Sequence, residues 1–310
     1  MRNNQQYSGE TMKTIFAAIL AMSISTCVFA VEATAPSPAR VASSDQDQLI
    51  DRLLTVSGMK KFLQNLPAQT ATGFMQAALR NDASEDEKKE LVTLLGEAYP
   101  KDVFVNRVSA ALKTNYNEQR YSNFLQLLST PLATRMLELE KQEPNPADVQ
   151  AFLAQVSKHP LPPERIKLIQ SMDTATQSST LLTAMTIASI EAGAFTAGDD
   201  CSLVTAKIKK MIVKSRPEIE KANRSSAQVM LAFTYRNVSD ADLASYLKVY
   251  EDKNSKWVQD IAQAAIKEQF KSSMEKGAQG MKRIVQAHKR KKTMFAPKCG
   301  QSESPNDEPV

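Results

Sequence analysis

Two histidines are all that the chain holds, and neither has company that would make it reactive. His159 precedes Pro160, and His288 lies in a run of lysines and arginines. A zinc or di-iron centre needs several Cys, His or carboxylate ligands at suitable spacing, and neither histidine has them, so no metal and no cofactor is expected. A Gly-rich phosphate loop, a G-x-S-x-G nucleophile elbow and a CxxC pair are also missing. The paired carboxylates Glu138 and Glu140 read as a solvated helix face. Asp240 and Asp242 read as helix-start charges that complement the backbone dipole. Reaction chemistry has few candidate residues here, and the expectation is a non-enzymatic protein, with a hydrolase of unknown substrate as the second alternative.

Two other sets of residues could bind. Tyr121, Phe124, Tyr246, Tyr250 and Trp257 recur at helical spacing and could line an apolar cleft for a small molecule or lipid. The competing reading is a plain helical core, with Trp257, which aligns with Arg135, as the one aromatic at the surface. The second set is cationic. Lys276, Lys282, Arg283, Lys289, Arg290, Lys291, Lys292 and Lys298 face a single acid, Glu275, between residues 274 and 300. Met274, Ala278, Met281, Ile284 and Val285 fall on one face of the same stretch, giving a basic amphipathic helix suited to an anionic lipid, a cell-envelope polymer or another envelope protein. The alternative is a solvated helix end whose lysines complement its negative C-terminus.

The elements that must carry these residues are helical. Hydrophobic residues make up 42% and charged residues 24%, with 9 glycines and little alternation of β-branched residues. Lys13 precedes "TIFAAILAMSISTCVFA", an apolar run of signal-peptide length, with Val28 and Ala30 as the small-residue cleavage site. The expected compartment is therefore periplasmic or extracellular, which argues against nucleic acid as a partner. Lipidation at Cys27 is the alternative, disfavoured by Thr26. Removal of the leader leaves Cys201 and Cys299, an even pair in an oxidising compartment and so an expected disulfide. Closing that loop would contribute at most about 4–5 kcal/mol.

Within the body, "YSNFLQLLSTPLATRMLELE" and "LASYLKVYEDKNSKWVQDIA" share one outline, apolar helix, break and apolar helix. Tyr121, Phe124, Leu125 and Leu128 form one face. Thr130 is the expected N-cap of the next helix, with Pro131 at its first position. Leu132, Met136 and Leu139 carry that helix's stripe. Under an offset of 122 residues, Leu243, Tyr246, Leu247 and Tyr250 repeat the first face, and Val258 and Ile261 match Met136 and Leu139. Ser239 caps the second copy, and Ser84 with Glu87 suggests a capping box before Leu91. Further upstream, Ile50 pairs with Ile166 and Leu53 with Ile169. This pattern predicts an internal duplication of a helical module. The segment "TLLTAMTIASIEAGAF", broken by Glu191, predicts a buried helix of the second copy, too short to span a membrane.

The two stretches "NEQRYSNFLQLLSTPLATRM" and "SDADLASYLKVYEDKNSKWV" resemble a family of secreted bacterial helical proteins with an uncharacterised domain. Its motif is an aromatic-rich helix, a Ser-Pro break and a second helix. The resemblance implies an all-α fold and export, and carries no assigned reaction. The expected organisation is a signal peptide (1–30), a flexible lead-in (31–46), module 1 (47–143), a proline-rich linker with one short helix starting at Asn145-Pro146 (144–162), module 2 (163–275), and a basic helix with a disordered polar tail (276–310).

Overall fold

The caps predicted at Thr130, Asn145 and Ser239 mark real helix ends. In the computed structural model, residues 45–78, 85–195 and 202–287 are described, and they form twelve helices with no strand among them. These are α1 (Asp45–Val56), α2 (Met59–Ala78), α3 (Glu85–Ala98), α4 (Val103–Thr114), α5 (Glu118–Leu128), α6 (Pro131–Glu140), α7 (Pro146–Lys158), α8 (Pro163–Thr176), α9 (Ser178–Phe195), α10 (Ser202–Thr234), α11 (Asp240–Glu251) and α12 (Lys253–Ala287). The protein is all-α.

The breaks in the two helix–break–helix units have the same geometry. Thr130 is extended (φ −69°, ψ 148°), and its hydroxyl accepts from the Ala133 amide at 3.3 Å. Asp252 is extended likewise (φ −60°, ψ 139°), and its Oδ1 accepts from the amides of Asn254 (2.8 Å) and Ser255 (3.2 Å). Ser255 stands 122 residues after Ala133, as Asp252 does after Thr130. An acidic cap thus does in the second unit what Thr-Pro does in the first, by accepting from orphan amides of the new helix. The upstream caps correspond too: Asn117 accepts from Arg120 N (3.0 Å) and Ser239 from Asp242 N (3.1 Å). Tyr121, Phe124, Leu125, Ala133, Met136 and Leu137 are buried, and so are Leu243, Tyr246, Leu247, Ser255, Val258 and Gln259 at the same offset.

The preceding helices also correspond, in a register different from the expected one. Both pairs turn through a left-handed residue, Gly58 (φ 73°) between α1 and α2 and Gln177 (φ 55°) between α8 and α9. That geometry suits glycine, which has no Cβ to clash, whereas Gln177 is held by donating to Asp260 of α12 at 2.6 Å. Aligning these turns shifts the match by three residues. Ile50 corresponds to Ile169, Leu53 to Met172 and Leu54 to Asp173, all buried. Ile166, the expected partner of Ile50, is 40% exposed, and the neighbouring Arg165 is buried instead.

Arg165 is the tie between α8 and the end of α10. Its guanidinium donates to the carbonyls of Tyr235 (2.5 Å) and Val238 (3.0 Å) and pairs with Asp240 at 2.7 Å. A cation at carbonyls left unpaired by a helix C-terminus is well placed. Asp242 in turn pairs with Arg135 of α6 at 2.6 Å, joining the two units.

The units do not hinge apart. One hydrophobic core runs from Ile50 to Ala278 through both of them. Its axis is α12, 35 residues and about 52 Å long, which contacts α3, α4 and α5 of the first half and α9 and α11 of the second. Residues 276–287 continue this helix without a break. Phe270 sits between Tyr99 and Phe104, at ring distances of 6.5 and 6.4 Å. In the proline-rich connection, α7 starts at the Asn145 cap as expected and lays Phe152 edge-on to Phe233 at 5.7 Å. Pro100 precedes α4 by a turn and is not in its first turn. The low-polarity α9 packs on α10 and α12, and Asn223 donates to its buried Thr183 and Thr186. Among the described residues no helix is long and apolar enough to cross a membrane. The expected leader, the Ser84 capping box, Cys201, Cys299 and the polar tail lie outside the described residues.

If the two caps do equivalent work, Thr130→Ala and Asp252→Ala should each lower unfolding free energy by about 1 kcal/mol in urea titrations. The double variant should show nearly the sum, because the caps share no partner.

Candidate functional site

A cavity of about 570 Å³ opens between the two units. The α1–α2 and α8–α9 turns, the C-terminal end of α6, and α10, α11 and α12 surround it. Leu137, Leu181, Leu231 and Ile266 give it an apolar wall, and Lys61 and Lys141 also line it.

Its polar group is Glu140, the last residue of α6. Leu137 and Met136 face the core, and Glu140 follows them at i+3 and i+4, so the helix carries the carboxyl toward the same side. Glu138 and Glu140 are both exposed, as a solvated face requires, but their partners differ. Glu138 stays outside and pairs with Lys141 at 2.6 Å. Glu140 is surrounded by protein at longer range, but its side chain opens onto the cavity and remains accessible to solvent. Asp240 and Asp242 likewise do more than start a helix, since both carry the ion pairs described above.

Three tyrosines converge on Glu140. Tyr235 donates to Oε1 at 2.5 Å and Tyr246 donates to the same oxygen at 2.8 Å. Tyr246 and Tyr250 are 3.0 Å apart at their hydroxyls, with rings nearly perpendicular. A phenol has one proton. Tyr246 gives its proton to Glu140, so Tyr250 is the donor to Tyr246. Burial pushes the Glu140 carboxyl above the usual carboxylate range, opposed by the hydroxyls of Tyr235, Tyr246 and Tyr250 and by nearby Lys141. Burial, followed by the neighbouring charges, raises all three phenols well above their ordinary value, which keeps them protonated donors.

Gln259 and Gln263, one turn apart on α12, complete the wall. They are 6% and 8% exposed, yet Gln259 Nε2 and Gln263 Oε1 have no hydrogen-bond partner. The other end of Gln263 is engaged, its Nε2 donating to the Thr176 carbonyl at 2.7 Å. A buried donor and a buried acceptor without partners are costly features to keep in a core.

The sequence-predicted site residues divide. Tyr250 lines the cavity with Phe124. Tyr246 is completely buried, and only its hydroxyl takes part, through Glu140. Trp257 is away from the cavity and is not a free surface residue. It packs on Tyr121 at 5.7 Å beneath the Arg120 guanidinium at 4.8 Å. Lys282 and Arg283 are near the end of α12, while Lys289, Arg290, Lys291 and Lys292 lie outside the described residues. The tertiary structure adds basic residues that sequence order separates. Arg216 and Arg224 of α10 face Lys267 and Lys271 of α12 across a groove of about 590 Å³ that also holds Glu191 and Glu220. No cluster of three or more His, Cys, Asp or Glu suited to a metal occurs among the described residues.

Glu140, Tyr235, Gln259 and Gln263 were not anticipated. A signal for one was present: under the 122-residue offset Gln259 replaces Leu137, a polar residue on a buried stripe. Comparison with family models, curated proteins and solved structures returns no match to this chain. The site is therefore interpreted from its own geometry.

Tyr246→Phe should cost about 1–2 kcal/mol of stability, by removing one donor to Glu140 and the acceptor of Tyr250. The raised carboxyl pKa makes its contribution to folding greatest in acid and smaller as pH rises through the folded value. Losing a donor to the ionised form raises that value further, so the deficit in thermal scans should be larger at alkaline than at acidic pH.

Proposed function

We propose that this is an exported, non-enzymatic binding protein that holds a small amphiphilic molecule in the cavity between its two helical units. The observation that carries the reading is the pairing of an apolar wall with a tyrosine-bound carboxylate and two glutamines that each keep a buried group without a partner. Pockets of this size, apolar with a few convergent polar groups, are the usual form of small-molecule sites. The serines that line the cavity are engaged by neighbours, Ser57 Oγ donating to the Leu54 carbonyl and Ser178 Oγ lying 2.7 Å from Thr176 Oγ1, which favours binding over turnover. Export rests on the leader-like segment at residues 14–30, and the kinship of the two units on a duplication followed by divergence around the cavity. The resemblance to secreted helical proteins agrees with both.

Leu181 is half-buried on the cavity wall, so Leu181→Trp should fill the space without emptying the core. A solvatochromic apolar dye should bind the wild-type protein, be displaced by short-chain amphiphiles, and bind the variant at least tenfold more weakly at unchanged melting temperature. Equal dye binding by both proteins would sink the cavity reading.

A second reading is favoured by the groove where Arg216 and Arg224 meet Lys267 and Lys271. These cations extend the basic face of α12 toward Lys282 and Arg283, and together they would hold the protein at an anionic envelope surface. Sedimentation with anionic vesicles should weaken as salt rises. It should fall further when Lys267, Lys271, Lys282 and Arg283 are changed to glutamine.

A further inference from the structure

Glu140 takes phenol hydrogen bonds, and neighbouring Lys141 acts on it through its charge without a direct ion pair. No lysine or arginine among the described residues forms an ion pair with it. The nearest cation in sequence, Lys141, pairs with Glu138, and Lys61 donates to the Lys141 carbonyl at 3.2 Å. A carboxylate that opens onto a partly apolar cavity without a cation in contact is available to one brought by a ligand.

Counting protons sharpens this. Three phenol protons enter the cluster, and all run toward the carboxylate: Tyr250 to Tyr246, and Tyr246 and Tyr235 to Oε1. None is left to point into the cavity. What remains open is acceptor capacity: the second carboxylate oxygen, the Tyr250 oxygen, and the unpartnered Oε1 of Gln263 on the facing wall. Donors line the cavity as well, on Gln259, Asn65, Gln69, Lys61 and Lys141. A negatively charged end with several unused acceptors is complementary to a group that is positive and carries several N–H bonds. The tyrosine rings around it also favour a cation. A divalent metal fits poorly, since Glu140 and Glu143 are the only carboxylates among the lining residues and no metal-holding group of three or more occurs among the described residues.

We infer that the cavity selects a primary ammonium group carried on an apolar chain, with Glu140 as its counterion and Tyr250 and Gln263 as further acceptors. This rests on the cavity being a ligand site, and goes further in naming the head group. Carboxylate-headed and neutral amphiphiles of equal length should be discriminated against, the first by repulsion and the second by leaving the Glu140 charge unpaired.

The test uses three probes of one chain length, octylamine, octanol and octanoate, titrated calorimetrically into the full-length protein at neutral pH. Octylamine should bind at least tenfold more tightly than octanol, and octanoate more weakly than both. Glu140→Gln should remove the preference for the amine while leaving octanol affinity within about threefold. Should Glu140→Gln fail to fold, Tyr250→Phe, which removes one acceptor and leaves the charge, should reduce the amine preference by a few-fold. Equal binding of all three probes, abolished by Leu181→Trp, would overturn the ammonium assignment and leave the cavity reading standing. No binding of any probe would overturn both. An amine preference that survives Glu140→Gln intact would also overturn the assignment.

Discussion

Burial of one long helix by both halves of the chain is the constraint on which the rest depends. Along α12, Ala262, Ala265, Ile266, Phe270, Met274 and Ala278 are all nearly inaccessible to water. Neither unit covers this stripe alone: Tyr99 and Phe104 come from the first half, and α9 and α11 close from the second. At about 25 cal/mol per Å² of apolar surface removed from water, a stripe of this length is enough to hold the halves as one body.

The cavity follows from an inequality between corresponding helices. α6 has 10 residues and ends at Glu140, while its counterpart α12 has 35 and continues. Where α6 stops, its chain leaves along Lys141 to Pro144, and the space a longer helix would fill stays open. The carboxylate at that helix end works against the backbone dipole, which favours cations there. Three phenol donors offset that unfavourable placement. A polar cluster maintained at such cost, beside two glutamines with unmet hydrogen-bonding capacity, is easier to understand as a site than as packing.

Helix ends and stripes were legible because they are local. Asn117, Thr130, Asn145 and Ser239 cap by accepting from an amide two or three residues on, a relation that any reader of the chain can see. The register of α8 was misjudged because apolar periodicity tolerates a slip of three residues. The left-handed turn at Gln177, which sets the true register, has no glycine to announce it. The role of Glu140 was missed for a related reason. Its exposure was legible, but the phenols that bind it arrive from positions about a hundred residues away.

What the sequence determined by itself was the class of fold, the caps, and the recurrence of a helix–break–helix unit, since each depends on contacts within a few residues. What only the tertiary structure decided was that the units share one core, that Trp257 packs on Tyr121, and that α6, α10 and α11 bring Glu140 together with Tyr235, Tyr246 and Tyr250. The physical reason is that a hydrogen bond or ion pair between distant segments leaves no periodicity in either one. Its residue types are ordinary until the fold places them within 3 Å of each other.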